Sequence, residues 1–248
     1  MVLTGAGPVQ IGSPPETIKD TMRLSFGVPA IYVLPQMLYR PEWGVSMAEL
    51  EFPVYFNFFV LKRKTIVICE RSQRLRAQEV LRESVFGPEA IDLTSDYPRD
   101  TVPFGLPDLR KEMNHFRKNP FKGGELMQLE DLVTFIETKI GVDTPIAKGH
   151  PVHVQLGRDS IRIRDGSKVL VVPESILAPM HDAPPDTPTS FEPPLFGVTC
   201  LGASHGFDSL EPTSGFILWI NHHGIMVDPP VHSTKVLNYD EGTIKEFD

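Results

Sequence analysis

The residues of this 248-residue chain that could do chemistry are its histidines, one serine in a glycine loop, two cysteines and an aspartate before a proline pair. The eight histidines are His115, His150, His153, His181, His205, His222, His223 and His232. His150-Pro151-Val152-His153 has HxxH spacing, but in a strand those two side chains point to opposite faces. Two edge or surface histidines are the better account. His222 and His223 are adjacent in a turn and also diverge. Gly202-Ala203-Ser204-His205-Gly206 fits GxSxG, the nucleophile elbow, with Asp228 and His232 following in the order such hydrolases use. The elbow needs a helix directly after the serine. Phe207 to Pro212 runs instead into another strand, and the partners follow within thirty residues, too soon for that topology. A glycine-loop turn is the simpler reading. Cys69 and Cys200 each sit in an apolar strand without CxxC spacing, as buried small hydrophobes would. They suggest no disulfide framework, and a reducing compartment is expected. The pair Glu130-Asp131 fits the polar side of a helix, and no Walker-type or Rossmann-type phosphate loop is present.

The elements that must position these residues are short, because 24 prolines stop helices and cannot donate to a sheet ladder. Residues 1–30 mix Gly, Pro, Ser and Thr without period and read as an extended arm. Residues 31–178 read as a mixed α/β domain. It opens with the apolar run Ile31 to Leu34. Phe52 to Val60 is then expected as a strand, paired across a Lys62-Arg63-Lys64 hairpin tip with Thr65 to Cys69. Ser72 can cap a helix running to about Phe86. Residues 88–124 show no period. Glu125 to Ile140 is expected as a helix, with Leu129, Leu132, Val133, Ile136 and Ile140 in one stripe. Strands follow at Val152 to Leu156, Ser160 to Arg164 and Lys168 to Val172, the last two joined at Asp165-Gly166. Residues 179–194 hold six prolines and read as a semi-rigid linker. Residues 195–248 bring strands at Phe196 to Leu201, Phe216 to Ile220 and Ile225 to Val227, with a tight turn at Asn221-His222-His223-Gly224.

This last pattern carries a family resemblance. A strand closing on Leu201-Gly202, then a glycine loop, Thr213-Ser214-Gly215-Phe216-Ile217-Leu218, a turn and Ile225-Met226-Val227-Asp228 resembles the start of metallo-β-lactamase-fold proteins, over residues 195–234. Glu51 to Phe59 upstream and Val227-Asp228-Pro229-Pro230-Val231 downstream are similar to a subgroup joined to cyclic-nucleotide-binding modules, some described as phosphodiesterase-like. The resemblance implies an αββα sandwich. It places Asp228 beneath a dinuclear zinc site, where the family's residue supports the ligand loop rather than binding metal. The expected fold class is thus α+β: a mixed N-terminal domain, then a partial metallo-β-lactamase-like antiparallel sheet.

The family's metal site needs HxHxDH and further ligands, since two zinc ions require several imidazoles and carboxylates at one point. No histidine here lies in that motif. The expectation is therefore a chain with no catalytic, cofactor-binding or metal residues of its own, and no cofactor, zinc included, unless a catalytic half exists elsewhere. Its role would be a non-catalytic structural or binding component of a larger assembly. The alternative is the N-terminal part of a metal-dependent hydrolase or phosphodiesterase whose catalytic half is missing. A cyclic-nucleotide sensor is a third class, but no phosphate-binding cassette supports it. Protein partners are expected, because strand faces carrying Phe216, Leu218, Ile220, Ile225 and Val227 need covering. The net charge of −8 argues against nucleic acid. The apolar stretch Phe52 to Leu61 is too short for a bilayer, which takes about 18 residues, and the first twenty residues lack a signal peptide's pattern. A cytoplasmic setting is expected. No residue argues for a cilium or cytoskeletal assembly in particular.

Overall fold

The computed structural model describes residues 1–12, 27–35, 50–91, 108–177, 192–203, 214–230 and 233. Those up to Leu177, Gly27 apart, belong to one compact unit, and those from Glu192 onward to a second. The architecture is α+β, with short helices and three sheets.

In the first unit, β1 (Val2–Thr4), β2 (Gly7–Ile11), β3 (Ile31–Val33), β4 (Thr65–Glu70) and β5 (Val133–Thr138) lie side by side in chain order. β1 and β2 are antiparallel, and every later pair is parallel. Residues 2–11 are thus a hairpin built into the sheet rather than an extended arm, and Val9 is fully buried. Parallel strands are covered on both faces, and alternation along β3 and β4 shows how. Tyr32, Val67 and Cys69 face a core shared with Leu81, Phe86, Met113 and Leu132. Ile31, Val33 and Ile68 face a second core with Val152, Val154, Ile161 and Ile163. That second core is closed by an antiparallel meander of β6 (Thr144–Pro145), β7 (Val152–Leu156), β8 (Ser160–Asp165) and β9 (Lys168–Pro173).

Two further expected elements take another form in this unit. Phe52 to Val60 is not a strand. It forms α1 (Glu51–Tyr55) running into one π-helical turn, Phe56–Val60. The aromatics fall four apart, so Phe52 stacks on Phe56 at 5.7 Å and Tyr55 packs at a tilt against Phe59 at 4.7 Å. Buried Asn57 fixes the helix end, donating to the Pro29 carbonyl (2.9 Å) and the Thr65 hydroxyl (3.0 Å). The expected basic hairpin tip is therefore a helix-to-strand turn. Its cations are tied down: Lys62 to the Phe59 carbonyl, Arg63 to Asn57 Oδ1, Lys64 to the Glu130 carbonyl.

Glu125 to Ile140 is not one helix either. Only α4 (Leu129–Leu132) is helical, started by Gln128 and Asp131, and the chain then enters β5. The β-branched and aromatic run Val133-Thr134-Phe135-Ile136 pairs with Thr65 to Ile68, and that ladder outweighs a helical stripe. Conversely, the region expected to lack period holds α3 (Leu109–Phe116), whose Asp108 Oδ1 accepts from the Lys111 N–H at 3.0 Å. The helix α2 (Arg71–Phe86) lies where expected and ends at Gly87, but its cap is the Glu70 N–H donating to Gln73 Oε1, not Ser72.

The second unit holds β10 (Phe196–Gly202), β11 (Gly215–Ile220) and β12 (His223–Val227) as an antiparallel meander, at the expected places. Its core is Leu201, Ile217 and Trp219, with Met226 against them. Among the described residues no helix is long and apolar enough to cross a membrane.

Candidate functional site at the C-terminal meander

Asp228 is the residue that the family resemblance singles out, and local packing sets its geometry. β12 ends at Val227, and Asp228 takes φ of +48°, a left-handed conformation that Asp tolerates better than most residues. The strand end then folds against Gly215. A Cβ at Gly215 would overlap the Asp228 carbonyl oxygen and come within 2.6 Å of Pro230 Cδ, so only glycine fits there. Beyond it, buried Ser233 donates its hydroxyl to the Pro230 carbonyl. The Asp228 side chain is exposed.

The turn that returns the chain to β12 is held just as locally. Asn221 and His222 have φ of +55° and +67°, the pattern of a tight hairpin turn. The Asn221 N–H donates to the Leu195 carbonyl (2.7 Å), and His222 Nδ1 lies 2.6 Å from the Pro193 carbonyl oxygen. His222 is thereby a turn anchor, and His223 is the exposed first residue of β12.

The other candidates are dispersed. His150 Nδ1 accepts from the Val152 N–H at 3.2 Å, and His153 Nδ1 lies 2.8 Å from Asp143 Oδ2, so the HxxH pair is engaged separately. Arg164 donates to the same Asp143 oxygen at 2.7 Å, and this hydrogen bond holds the carboxyl below the usual carboxylate range. Cys69 is buried, and burial pushes its thiol up to about 12. Cys200 is exposed, against the expectation of a buried thiol, because its place in β10 alternates outward. His181, Ser204, His205 and His232 lie outside the described residues. No three His, Cys, Asp or Glu side chains gather as a metal site among the described residues.

Sequence reading missed a basic cleft of about 450 Å³ beside α3. Arg110, Lys111, His115 and Lys118 line it with Asp108 and Asn114. The signal was available: Asp108 as N-cap, with Leu109, Met113 and Phe116 at helical spacing. Arg110 is already paired with Glu89 at 2.7 Å, and no serine, threonine or cysteine lines the cleft.

Comparison with known proteins supplies what the site does not. The chain is 26% identical to the cGMP-dependent 3',5'-cGMP phosphodiesterase A of Dictyostelium discoideum, across 93% of this chain and 40% of that protein. It is 28% identical to the cAMP/cGMP-dependent 3',5'-cAMP/cGMP phosphodiesterase B of the same organism, across 92% of this chain and 25% of that one. Both similar proteins are cyclic-nucleotide phosphodiesterases by name. The chain spans well under half the length of either. The alignments, 358 and 288 residues, are longer than the chain, so both relatives carry insertions relative to it. No family model matches the chain, and no solved structure does.

Proposed function

We propose that this chain is a phosphodiesterase-related piece of a metallo-β-lactamase-type protein, acting as a non-catalytic structural or binding component of a larger protein assembly. One observation carries the reading: more than nine-tenths of the chain is similar to phosphodiesterases, yet HxHxDH occurs nowhere in it. The described residues do not fit the zinc pair that the resemblance implies. Asp228 stands exposed at a strand end, His222 is spent on a carbonyl, and one carboxylate cannot hold two divalent ions. On this reading the partners are proteins rather than nucleic acid or membrane, and the setting is cytoplasmic.

A second reading is favoured by the relatives' greater length: the chain is the N-terminal part of a metal-dependent phosphodiesterase whose catalytic half lies elsewhere. Zinc analysis together with cAMP and cGMP hydrolysis by the purified chain tests the first reading. Substoichiometric zinc and no turnover are expected, and stoichiometric zinc with turnover overturns it. Sequencing the transcript past the Asp248 codon tests the second. An in-frame HxHxDH run establishes it, and an immediate stop codon removes it.

A further inference from the structure

The cleft beside α3 gathers positive charge on an acidic protein. Arg110, Lys111, His115 and Lys118 line it with Asn114 and Leu126, and Asp108 is its single carboxylate, although the chain has 32 Asp and Glu residues. That carboxylate is committed, because Asp108 Oδ1 accepts the Lys111 N–H at 3.0 Å. Arg110 is shared with Glu89 in an exposed pair, which competes weakly against a ligand. Among the described residues no hydrogen bond or ion pair holds the side chains of Lys111, Asn114 or Lys118. Elsewhere in the same unit cations are spent on the protein itself: Arg63 on Asn57, Lys64 on the Glu130 carbonyl, Arg74 on Glu137. Both walls of the cleft are anchored. Met113 ties the inner side of α3 into the core, and Arg117 donates to the Met127 carbonyl at 3.0 Å. The segment carrying Leu126 is pinned by its bridge to Lys118 and by buried Asn119, whose N–H donates to the Glu125 carbonyl at 2.7 Å. Lys111, His115 and Lys118 lie four and three residues apart, so they fall in one row along α3 and its end.

We propose that this cleft binds a phosphomonoester, with the dianionic phosphate against Lys111, His115 and Lys118 and the organic part along exposed Leu126. Charge is the first argument. Three cations facing one committed carboxylate suit a multiply charged anion, where a single carboxylate ligand would leave cations unmatched. Phosphate oxygens accept charge-assisted hydrogen bonds from ammonium, guanidinium, imidazole and amide N–H groups, which are the donors present. Size is the second. A volume of about 450 Å³ lies within the roughly 300–1,000 Å³ of small-molecule sites and exceeds what a bare phosphate fills. The net charge of −8 opposes anions at long range, so the attraction is confined to the cleft and fades with salt. The same group can come from a soluble compound or from a lipid headgroup. The proposal rests on this cleft alone and stands whether or not the chain hydrolyses anything.

Isothermal titration of the full chain with phenyl phosphate and with inorganic phosphate tests it. One saturable site is expected, with Kd below about 1 mM for phenyl phosphate and weaker binding of inorganic phosphate. Lys111→Gln with Lys118→Gln should raise that Kd at least about tenfold. Both lysines are exposed, and an unchanged denaturant midpoint shows that the double variant keeps its fold. If the midpoint falls, Lys118→Gln alone replaces it, with a rise of at least about threefold expected. Lys148→Gln with Lys168→Gln removes the same charge from exposed positions outside the cleft and should leave Kd unchanged. Flotation with phosphatidylcholine vesicles, with and without phosphatidic acid, separates the two sources. Flotation only with phosphatidic acid, lost in the cleft variant, assigns a lipid headgroup, and no flotation assigns a soluble compound. The absence of saturable binding overturns the proposal. So does inorganic phosphate bound as tightly as phenyl phosphate, binding indifferent to the cleft substitutions, or an equal loss in both double variants.

Discussion

The β6–β9 meander and the β10–β12 meander are built alike and finished differently. Each buries one face in apolar residues: Val152, Val154, Ile161 and Ile163 in the first, Ile217 with Trp219 in the second. On the outward side of the first, Gln155 pairs with Arg162, and His153 with Arg164. On the outward side of the second, Phe196 pairs with Ile220, and Val198 with Leu218. An antiparallel sheet facing water on one side normally alternates apolar and polar residues. Strands β7 and β8 follow that rule, β9 departs from it with exposed Val169 and Val171, and the second sheet breaks it on every strand. Burial explains the inner faces of both, while the apolar side chains on the outer face of the second stay largely exposed.

The comparison is broken most severely through the covered faces, which should behave as equals. Trp219→Ala should cost about 3–5 kcal/mol and Ile161→Ala about 2–5, measured by denaturant unfolding, because both delete fully buried side chains. A loss below about 1 kcal/mol at Trp219 would mean that the second meander has no real core, and the likeness of the two sheets would fall. A smaller effect comes from Gly224, where an added Cβ would sit 2.7 Å from the Trp219 ring and 2.8 Å from Ile217. Gly224→Ala should therefore destabilise by about 1–3 kcal/mol, the usual cost of overpacking. A neutral result would show that the ring has room to move.

The two cysteines sharpen the contrast without changing stability. Cys69 is in the covered core of the first unit, and Cys200 is on the open outer face of the second. Burial raises the Cys69 thiol to about 12, so at mildly alkaline pH it stays protonated as well as inaccessible. Native alkylation read by mass spectrometry should modify Cys200 alone, and both thiols should react once denaturant is added. Fast labelling of Cys69 in the native state would show that the helix-covered face opens.

Legibility in the sequence follows how local each decision is. The three C-terminal strands and the β8–β9 hairpin were readable because turn residues at Asn221-His222 and Asp165-Gly166 fix them within a few positions. Phe52 to Val60 was misread because aromatic density suits a strand, and what decides for the helix is non-local: buried Asn57 reaching Pro29, 28 residues away. Val133 to Thr138 was misread for the converse reason, since its ladder partner Thr65 to Glu70 lies far upstream. At the candidate site, the end of β12 at Asp228 was legible from its two prolines. The close approach of Gly215 that fixes its geometry was not, because it depends on strands pairing in space. Likewise HxxH spacing drew attention to His150 and His153, while the partner of His153 proved to be Asp143 on the neighbouring strand's approach.

The charged finish of the first meander gives the smallest effect and the clearest sign. Arg164 holds the Asp143 carboxyl below its ordinary range by a hydrogen bond, and His153 beside it acts in the same direction. A carboxyl depressed in the folded state contributes stability that is fully present above its unfolded value, about 3.9. That stability is lost as pH falls through the lower folded value. The pair is about half exposed on the Asp143 side, so solvent screening keeps the contribution to roughly 0.2–1 kcal/mol at neutral pH. Asp143→Asn should therefore lower the denaturant midpoint slightly at neutral pH, lose that difference on acidification below the ordinary carboxylate range, and lose much of it in high salt. Val198→Ala on the second meander should show no such acid-side dependence, because the outer face there holds no carboxylate. An Asp143→Asn difference that persisted unchanged into acid would mean that the side chain acts there through packing, and the outer faces of the two sheets would then differ less than their residues imply.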